Sequence, residues 1–161
     1  MSFENLREEL RRQVPELAVA RPLDYSVSGR HLEIQAEHGQ VEAIARTARA
    51  AGLFLEAITA IDFRDGPQVI YLFNSFDAPS RVQVRVQLKA KESLATISSI
   101  YDAAFWYERE VFDLFGIRFD NHPGLRRLLL PEDADFHPLC KDFGKVHAFR
   151  SVKEIYGETA A

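Results

Sequence analysis

The sequence predicts an α+β fold with two layers, a mixed β-sheet carrying helices on one face, followed by an extended irregular C-terminal tail. The order of the elements is the first reason, because helix, hairpin, helix, three strands and then helices is not the alternation of a doubly wound sheet. Residues 81–88 alternate between apolar and polar side chains, as in a strand with one solvated face. After Gly116 the periodicity is lost. We therefore expect an α+β domain over residues 1–116 and an extended segment over residues 117–161.

The first elements have the patterns of a short helix and a hairpin. Apolar residues recur at helical spacing until Pro15 ends the pattern. These residues are Phe3, Leu6, Leu10 and Val14. Residues 25–36 are predicted to form a β-hairpin that turns at Ser28-Gly29. Its second strand alternates apolar and polar residues, with Leu32, Ile34 and Ala36 on the apolar side.

The middle of the chain is predicted to add one helix and three strands. Helical spacing over residues 40–51 is set by Val41, Ile44, Ala45 and Ala48. Gly52 follows as a residue suited to the helix end. The three strands are predicted at residues 53–63, 68–76 and 81–88, with a turn at Asp65-Gly66-Pro67.

Two further helical segments are predicted before Gly116. Helical spacing returns at Leu94, Ile97 and Ile100 or Tyr101. Asp102 is placed to cap the N-terminus of another helix, residues 103–115, which Gly116 closes.

The segment over residues 117–161 is irregular but apolar. It contains Pro123, Pro131 and Pro138 and little periodicity, which is unusual for so long a stretch of a compact domain. It also carries many leucine and aromatic side chains, among them Phe149 and Tyr156. We expect this stiffened segment to pack across a surface, either of its own domain or of another subunit.

Composition excludes several classes of function. The formal net charge of -4 argues against nucleic-acid binding, which favours a basic face. The single cysteine, Cys140, cannot supply the four thiolates of an iron–sulfur cluster. One free thiol and the lack of an apolar leader indicate a reducing cytoplasm. No apolar run reaches the ~20 residues of a membrane span, so membrane contact is expected only through a partner.

The helix before Gly116 is dense in charge. Its charged residues are Glu108, Arg109, Glu110 and Asp113. At ~100° per residue, Glu108 and Glu110 point about 160° apart, so they do not form the facing pair of a glycosidase. Arg109 and Asp113 are i,i+4 neighbours that can pair. Spacing alone is typical of a solvated helix face with ion pairs.

Other side chains allow chemistry or binding without requiring it. His137 and Cys140 could suggest a zinc site, but a second cysteine is missing, which favours a turn or cap role for His137. Arg126 and Arg127 lack the glycine-rich loop of a phosphate site and are more typical of a surface or interface pair. The aromatic residues near the charged helix either all enter the core or leave one edge for an interface: Phe105, Trp106, Tyr107, Phe112 and Phe115.

In order, these residues resemble the signature of the respiratory complex I 30 kDa subunit family, whose members are subunits of NADH-quinone oxidoreductase. The matching elements are Glu108-Arg109-Glu110, Asp113, Leu114-Phe115, His122, Arg126, Leu128-Leu129, Pro131-Glu132-Asp133 and His137-Pro138-Leu139-Cys140-Lys141-Asp142-Phe143. The resemblance is specific over residues 105–143. It departs from the family at Cys140, where the family usually has arginine.

The resemblance implies an accessory subunit in the peripheral arm of a proton-pumping NADH:quinone oxidoreductase. Such a subunit supports assembly and electron transfer from NADH to quinone, has no catalytic residue and holds no cofactor or metal. FMN, iron–sulfur clusters, NADH and quinone belong to other subunits. The implied partners are the large 49 kDa-type quinone-site subunit and the iron–sulfur subunits, on the cytoplasmic side of the cell or inner membrane.

The resemblance also marks a set of residues expected at the subunit interface. They are Glu108, Arg109, Glu110, Asp113, His122, Arg126, Arg127, Leu129, Pro131, His137, Pro138, Lys141, Asp142 and Phe143. Their expected role is docking, with the charged residues setting the register.

Three other functions stay open at this point. One is the equivalent subunit of a membrane-bound nickel–iron hydrogenase or formate hydrogenlyase, which would share the fold. Another is a stand-alone metalloprotein that uses His137 and Cys140. A generic binding module is the third.

Overall fold

A computed structural model describes residues 8–10, 12–14, 19–76, 80–89 and 91–143. A five-stranded mixed sheet lies at its centre. The strands are β1 (Val19–Pro22), β2 (Leu32–Ala36), β3 (Phe54–Phe63), β4 (Gly66–Asn74) and β5 (Val82–Gln87). Their spatial order is β1-β2-β5-β4-β3, with β2 and β5 parallel and the other neighbours antiparallel. This arrangement confirms the predicted mixed sheet.

Helices and a second small sheet complete the described residues. The helices are α1 (Tyr25–Ser28), the 3₁₀ turn His38–Gln40, α2 (Val41–Ala50) and α3 (Ala104–Phe115), and residues 8–10 and 12–13 are also helical. The strands β6 (Leu94–Ala95) and β7 (Phe119–Asp120) pair in parallel. Among the described helices, none is long and apolar enough to cross a lipid bilayer.

The core lies between one face of the sheet and the helices α2 and α3. A row of buried side chains crosses four neighbouring strands because their residues are directly paired. The row consists of Ile34, Val84, Tyr71 and Ile58. The predicted apolar faces of β2, β5 and α2 are all buried. The two-layer α+β prediction is confirmed. In the first helix Leu10 and Val14 are buried, whereas Phe3 and Leu6 lie outside the described residues.

The hairpin predicted over residues 25–36 is wrong in its first strand. Residues Tyr25–Ser28 form the one-turn helix α1, and β2 pairs with β1 instead. The Asp24 side chain accepts the N–H of Ser26 at 2.9 Å, which caps this turn. Gly29 closes it with a φ of 67°.

The helix predicted over residues 94–101 is also wrong. Leu94 N–H donates to Arg118 O at 3.0 Å and Thr96 N–H donates to Asp120 O at 3.0 Å, so these amides bond to β7 and to the residue just before it. Ile97 and Tyr101 are nevertheless buried, which explains their apolar spacing. The N-cap residue of α3 is Ala103 rather than the predicted Asp102.

Gly66 fixes the turn between β3 and β4. The turn lies one residue earlier than predicted, at residues 64–65, and Gly66 begins β4. A Cβ atom at Gly66 would lie 2.2 Å from Leu88 O, and the φ angle there is 116°. Only glycine lets the two backbones approach this closely.

Candidate functional site on helix α3

The candidate site is the surface of α3 together with the segment that follows it, residues 117–143. The segment begins inside the fold, because Ile117 and Phe119 are buried in the core. Gly116 ends α3 with a φ of 74°. A Cβ atom at Gly116 would lie 2.8 Å from the His137 ring, so glycine also leaves room for the returning chain. The domain boundary expected after Gly116 stays a prediction.

Glu108 is a buried carboxylate on the inner side of α3, with no exposed surface. Ile97 N–H donates to its Oε1 at 2.8 Å, and the Thr96 hydroxyl donates to its Oε2. Burial raises the pKa of Glu108 to about 7, against the opposing effect of these two hydrogen bonds. Glu108 therefore ties α3 to the loop that follows β6.

His122 lies beside this carboxylate, with Nε2 3.9 Å from Glu108 Oε2. Its Nδ1 accepts the N–H of Gly124 at 3.0 Å. Because Nδ1 is an acceptor, the neutral ring carries its proton on Nε2, which donates to Phe105 O at 3.1 Å. His122 thus joins the start of the segment to the start of α3.

Arg109 is buried and binds the main chain of the segment. Its Nη2 donates to Arg127 O at 2.8 Å, and its Nε donates to Arg126 O at 3.3 Å. The guanidinium carbon lies 5.1 Å from the Trp106 ring centroid and 5.7 Å from that of Phe105. The expected pairing of Arg109 with Asp113 is wrong, because each bonds to residues of the segment instead.

Asp113 is fully buried and accepts three consecutive backbone N–H groups on Oδ2. The donors are Leu128, Leu129 and Leu130, at 3.1, 2.6 and 3.0 Å. Arg127 Nη1 donates to Oδ1 at 3.0 Å. Burial acts to raise the pKa of Asp113, but the three amides and Arg127 outweigh it and lower the pKa to about 2.

The end of α3 is capped by residues 137–140. His137 Nδ1 lies 2.9 Å from Asp113 O, Leu139 N–H donates to Leu114 O at 3.0 Å, and the Cys140 thiol donates to Phe115 O at 3.3 Å. These carbonyls have no partner within the helix, so the segment satisfies them. The cap role favoured for His137 is confirmed. Burial raises the pKa of the Cys140 thiol. Within the described ranges, no group of three or more His, Cys, Asp or Glu residues is placed to hold a metal ion.

The interpretation of the charged helix as a solvated face is wrong. Glu108, Arg109 and Asp113 are buried, while Glu110 is partly exposed. A substrate cannot reach a carboxylate without exposed surface, and hydrogen bonds from the protein occupy both buried carboxylates. The arrangement therefore suits holding α3 to the loop after β6 and to the segment that follows the helix.

The remaining signature residues divide by exposure. Those that are partly buried are Arg127, His137 and Pro138, and the His122 side chain is buried. Those that are exposed are Arg126, Leu129, Pro131, Lys141, Asp142 and Phe143. Lys141 N–H donates to Asp62 Oδ2 at 2.7 Å, which fixes the last described residues near the end of β3. Phe149 and Tyr156 lie outside the described residues.

Sequence reasoning missed the groups that bind the two buried carboxylates. They are the Thr96 hydroxyl and the main-chain amides of Ile97, Leu128, Leu129 and Leu130. A backbone N–H is common to nearly all residues, so no sequence signal distinguished these amides.

Four large apolar side chains are exposed along the anchored segment, and we call them together the tail patch. Its residues are Leu129, Phe136, Leu139 and Phe143. The rings of Phe136 and Phe143 stack with their centroids 5.1 Å apart. Leu129 is 64% exposed although its own N–H is bonded to a buried carboxylate. Large apolar side chains held open to solvent in this way are typical of contact surfaces.

Comparison with known families gives a match over residues 34–148 to the model described as Respiratory-chain NADH dehydrogenase, 30 kDa subunit. A subunit of the NADH-quinone oxidoreductase of Cereibacter sphaeroides is 41% identical over 108 residues, which cover 65% of this chain and 54% of that protein. The mitochondrial NADH-ubiquinone oxidoreductase 30.4 kDa subunit of Neurospora crassa is 44% identical over 89 residues, covering 53% of this chain and 31% of that protein. The chain thus spans about half or less of the length of these relatives.

Two further similarities extend over most of the chain. The corresponding NADH-quinone oxidoreductase subunit of Moorella thermoacetica is 29% identical over 144 residues, which cover 88% of this chain and 95% of that protein. A chain in the structure of the membrane-bound sulfane sulfur reductase, an archaeal respiratory membrane complex, superposes with a TM-score of 0.78 at 22% identity. That alignment covers 95% of this chain and 90% of the other, and it supports the fold.

Proposed function

We propose, because this chain belongs to the respiratory-chain NADH dehydrogenase 30 kDa subunit family, that it is an accessory subunit in the peripheral arm of a proton-pumping NADH:quinone oxidoreductase. Its role is to dock against the large quinone-site subunit and the iron–sulfur subunits, and so to support electron transfer from NADH to quinone. It contacts the membrane only through these partners, on the cytoplasmic side.

The observation that carries the proposal is the tail patch on an anchored segment. Arg109 and Asp113 of α3 hold residues 126–130 through hydrogen bonds to their main chain, and residues 137–140 cap α3. The same segment leaves Leu129, Phe136 and Phe143 open to solvent. A rigid, apolar surface loses little conformational entropy when a partner covers it.

The buried signature residues act within the chain under this proposal. Arg109 and Asp113 position the segment, and Glu108 ties α3 to the loop after β6. The exposed members of the signature contact the partner. Arg126 is exposed although its carbonyl is bonded to Arg109, so its charge is available to a partner while its main chain is held. Exposed charges at the rim of an interface mainly set partner choice and orientation.

The chemistry of the complex belongs to other subunits in this proposal. The single thiol of the chain donates to a main-chain carbonyl, and one thiol is too few for a cluster. FMN, the iron–sulfur clusters, NADH and quinone are bound elsewhere in the complex.

The experiment is affinity purification of the tagged full chain from its native host in a mild detergent. Leu129→Ser with Phe136→Ser should lose the large and iron–sulfur subunits while keeping the thermal unfolding midpoint of the wild type. The matched control is Val27→Ser with Phe76→Ser, because both residues are 86% exposed apolar side chains that do not belong to the tail patch. The control variant should retain the subunits.

Three results would argue against the proposal. Equal retention of subunits by the two double variants would remove the tail patch as the docking surface. Purification without any quinone-reductase subunit would remove the function itself. Nickel and hydrogen evolution in the purified complex, in place of flavin and NADH oxidation, would assign the chain to a hydrogenase-type complex.

A further inference from the structure

A second concave surface lies at the first turn of α3, and we call it the aromatic–acidic cleft. It measures about 670 Å³ and is formed by the β6 loop, the start of α3 and the turn after β7. Phe105 and Trp106 line its α3 side, and Ser98 and Ser99 line the loop side. This volume lies within the usual range of ligand pockets and can hold several side chains.

The charge of the cleft has one sign. Glu42, Asp102 and Asp120 line it, and no lysine, arginine or histidine is among the lining residues that the structure describes. Glu42 is paired with Arg46 at 2.7 Å, so Asp102 and Asp120 carry most of the available charge. Both are exposed. An occupant that complements the cleft is therefore cationic.

The aromatic wall indicates which cation fits. Trp106 is 55% exposed in a helix, and tryptophan is enriched among the residues that dominate interfaces. Phe105 and Trp106 already accept one guanidinium, that of Arg109, at 5.7 and 5.1 Å from the ring centroids. An arginine stacks on aromatic rings and binds a carboxylate through two parallel hydrogen bonds, which a lysine cannot do.

The lining of the cleft is held in place before any partner arrives. Phe105 stacks on His122 with ring centroids 4.9 Å apart. The hydroxyl of Thr96, another lining residue, donates to the buried Glu108. A site built of fixed groups binds with a smaller entropic cost.

We propose that the aromatic–acidic cleft receives an arginine side chain from a basic segment of a neighbouring protein subunit. This proposal rests on the proposed function for the identity of the neighbour as a subunit of the same complex. It adds a docking point with a defined chemistry, separate from the apolar tail patch.

The test uses the intrinsic fluorescence of the full chain, because Trp106 is its only tryptophan. The probe is the capped peptide Gly-Arg-Gly-Arg-Gly, compared with the same peptide carrying lysine or citrulline. The arginine peptide should change Trp106 emission saturably and bind about tenfold more tightly than either analogue. Citrulline keeps the shape of the guanidinium but not its charge.

Two charge variants locate the binding site. Asp102→Asn with Asp120→Asn should weaken arginine-peptide binding about tenfold. Glu132→Gln with Asp133→Asn removes the same number of exposed charges outside the cleft and should leave binding unchanged. If the first variant folds poorly, Asp102→Asn alone keeps the test, since Asp102 is exposed and lies outside the regular secondary structure.

The proposal is overturned if emission shows no saturable change, if the citrulline peptide binds equally well, or if both charge variants weaken binding to the same extent. The complex separates this proposal from the proposed function. If the cleft variant joins the complex as the wild type does, and neither protein binds the arginine peptide, the cleft proposal fails and the proposed function stands. If the wild type binds the peptide saturably and the cleft variant binds it more weakly, but the chain joins no quinone-reductase complex, the cleft proposal stands and the proposed function fails.

Discussion

Replacing Asp113 with asparagine tests whether one buried carboxylate holds the segment after α3. Oδ2 accepts the amides of Leu128, Leu129 and Leu130, and Oδ1 accepts Arg127. Asparagine has nearly the same shape but turns one of the two oxygens into an N–H donor. Either the three amides or the guanidinium must then face another donor, and the negative charge opposite Arg127 is lost in both cases.

The magnitude follows from two estimates. The pKa of Asp113 falls from its ordinary value of 3.8 to about 2, a difference worth about 2 kcal/mol at ~1.4 kcal/mol per pKa unit. Removing one partner of a buried ion pair costs about 3–5 kcal/mol, because the remaining charge stays buried. We expect Asp113→Asn to lower the free energy of unfolding by about 2–5 kcal/mol, a large fraction of the stability of a small domain.

The assay is unfolding by guanidinium chloride at several pH values, with hydrogen exchange of the amides of residues 128–130. Because the pKa in the folded state is lowered, the contribution of Asp113 is complete above about pH 3.8 and is lost as the pH falls through about 2. The difference between wild type and Asp113→Asn should therefore be largest at neutral pH and shrink by about 2 kcal/mol in acid. The three amides should lose protection in the variant.

Asp133→Asn is the control, since Asp133 is an exposed carboxylate in the same segment. It should change stability by less than about 0.5 kcal/mol. A loss below about 1 kcal/mol for Asp113→Asn, or a loss that does not depend on pH between about 5 and 2, would show that the amide contacts do not hold the segment.

Three further predictions address neighbouring residues. The pKa of Glu108 is raised to about 7 from an ordinary 4.5, so its contribution to stability is complete below about pH 4.5 and is lost as the pH rises through 7. The stability of Glu108→Gln relative to wild type should therefore rise by about 3 kcal/mol from about pH 4.5 to 8. Denaturant unfolding measures this difference, and a difference that does not change with pH would contradict the prediction. Gly116→Ala should cost about 2 kcal/mol or more in thermal unfolding, because it adds left-handed strain and places a Cβ atom 2.8 Å from the His137 ring. Gly39→Ala is the control and should be nearly neutral, because a Cβ atom there meets nothing within 4 Å. Arg109→Glu should lower the melting midpoint of the isolated chain, because the Arg109 side chain is bonded inside the fold. Arg126→Glu should leave the melting midpoint unchanged and lower only the recovery of partner subunits, because Arg126 is exposed. Equal losses of melting midpoint would place both side chains inside the fold.

The fold class could be predicted where periodicity is local. The alternation in β2 and β5 and the spacing of Val41, Ile44 and Ala48 directly reflect which side chains are buried. The helix predicted over residues 94–101 failed for a long-range reason. The backbone there pairs with β7, about 25 residues later in the chain, and no local pattern carries that information.

The sequence identified the site residues as a family signature, but it did not predict which groups they contact. The match of the family model over residues 34–148 confirms the resemblance that residues 105–143 carry. Periodicity placed Glu108 and Glu110 on different sides of α3, and one is buried while the other is partly exposed. Sequence could not show that Arg109 and Asp113 point into the segment, because their partners are main-chain groups.

Under the proposed function, the burial of Glu108, Arg109 and Asp113 determines how the segment can dock. If Glu108, Arg109 and Asp113 contacted a partner directly, the free chain would expose three charges and leave its segment to be ordered on binding. In this structure Arg109 and Asp113 bind the segment within the chain, so much of the cost of ordering it is met during folding. Under the proposed function, the partner would then meet the exposed apolar side chains of Leu129 and Phe143, with Arg126 exposed on the same segment. Substitutions at the buried positions should therefore act on assembly through the stability of the segment, and those at the exposed positions through contact alone.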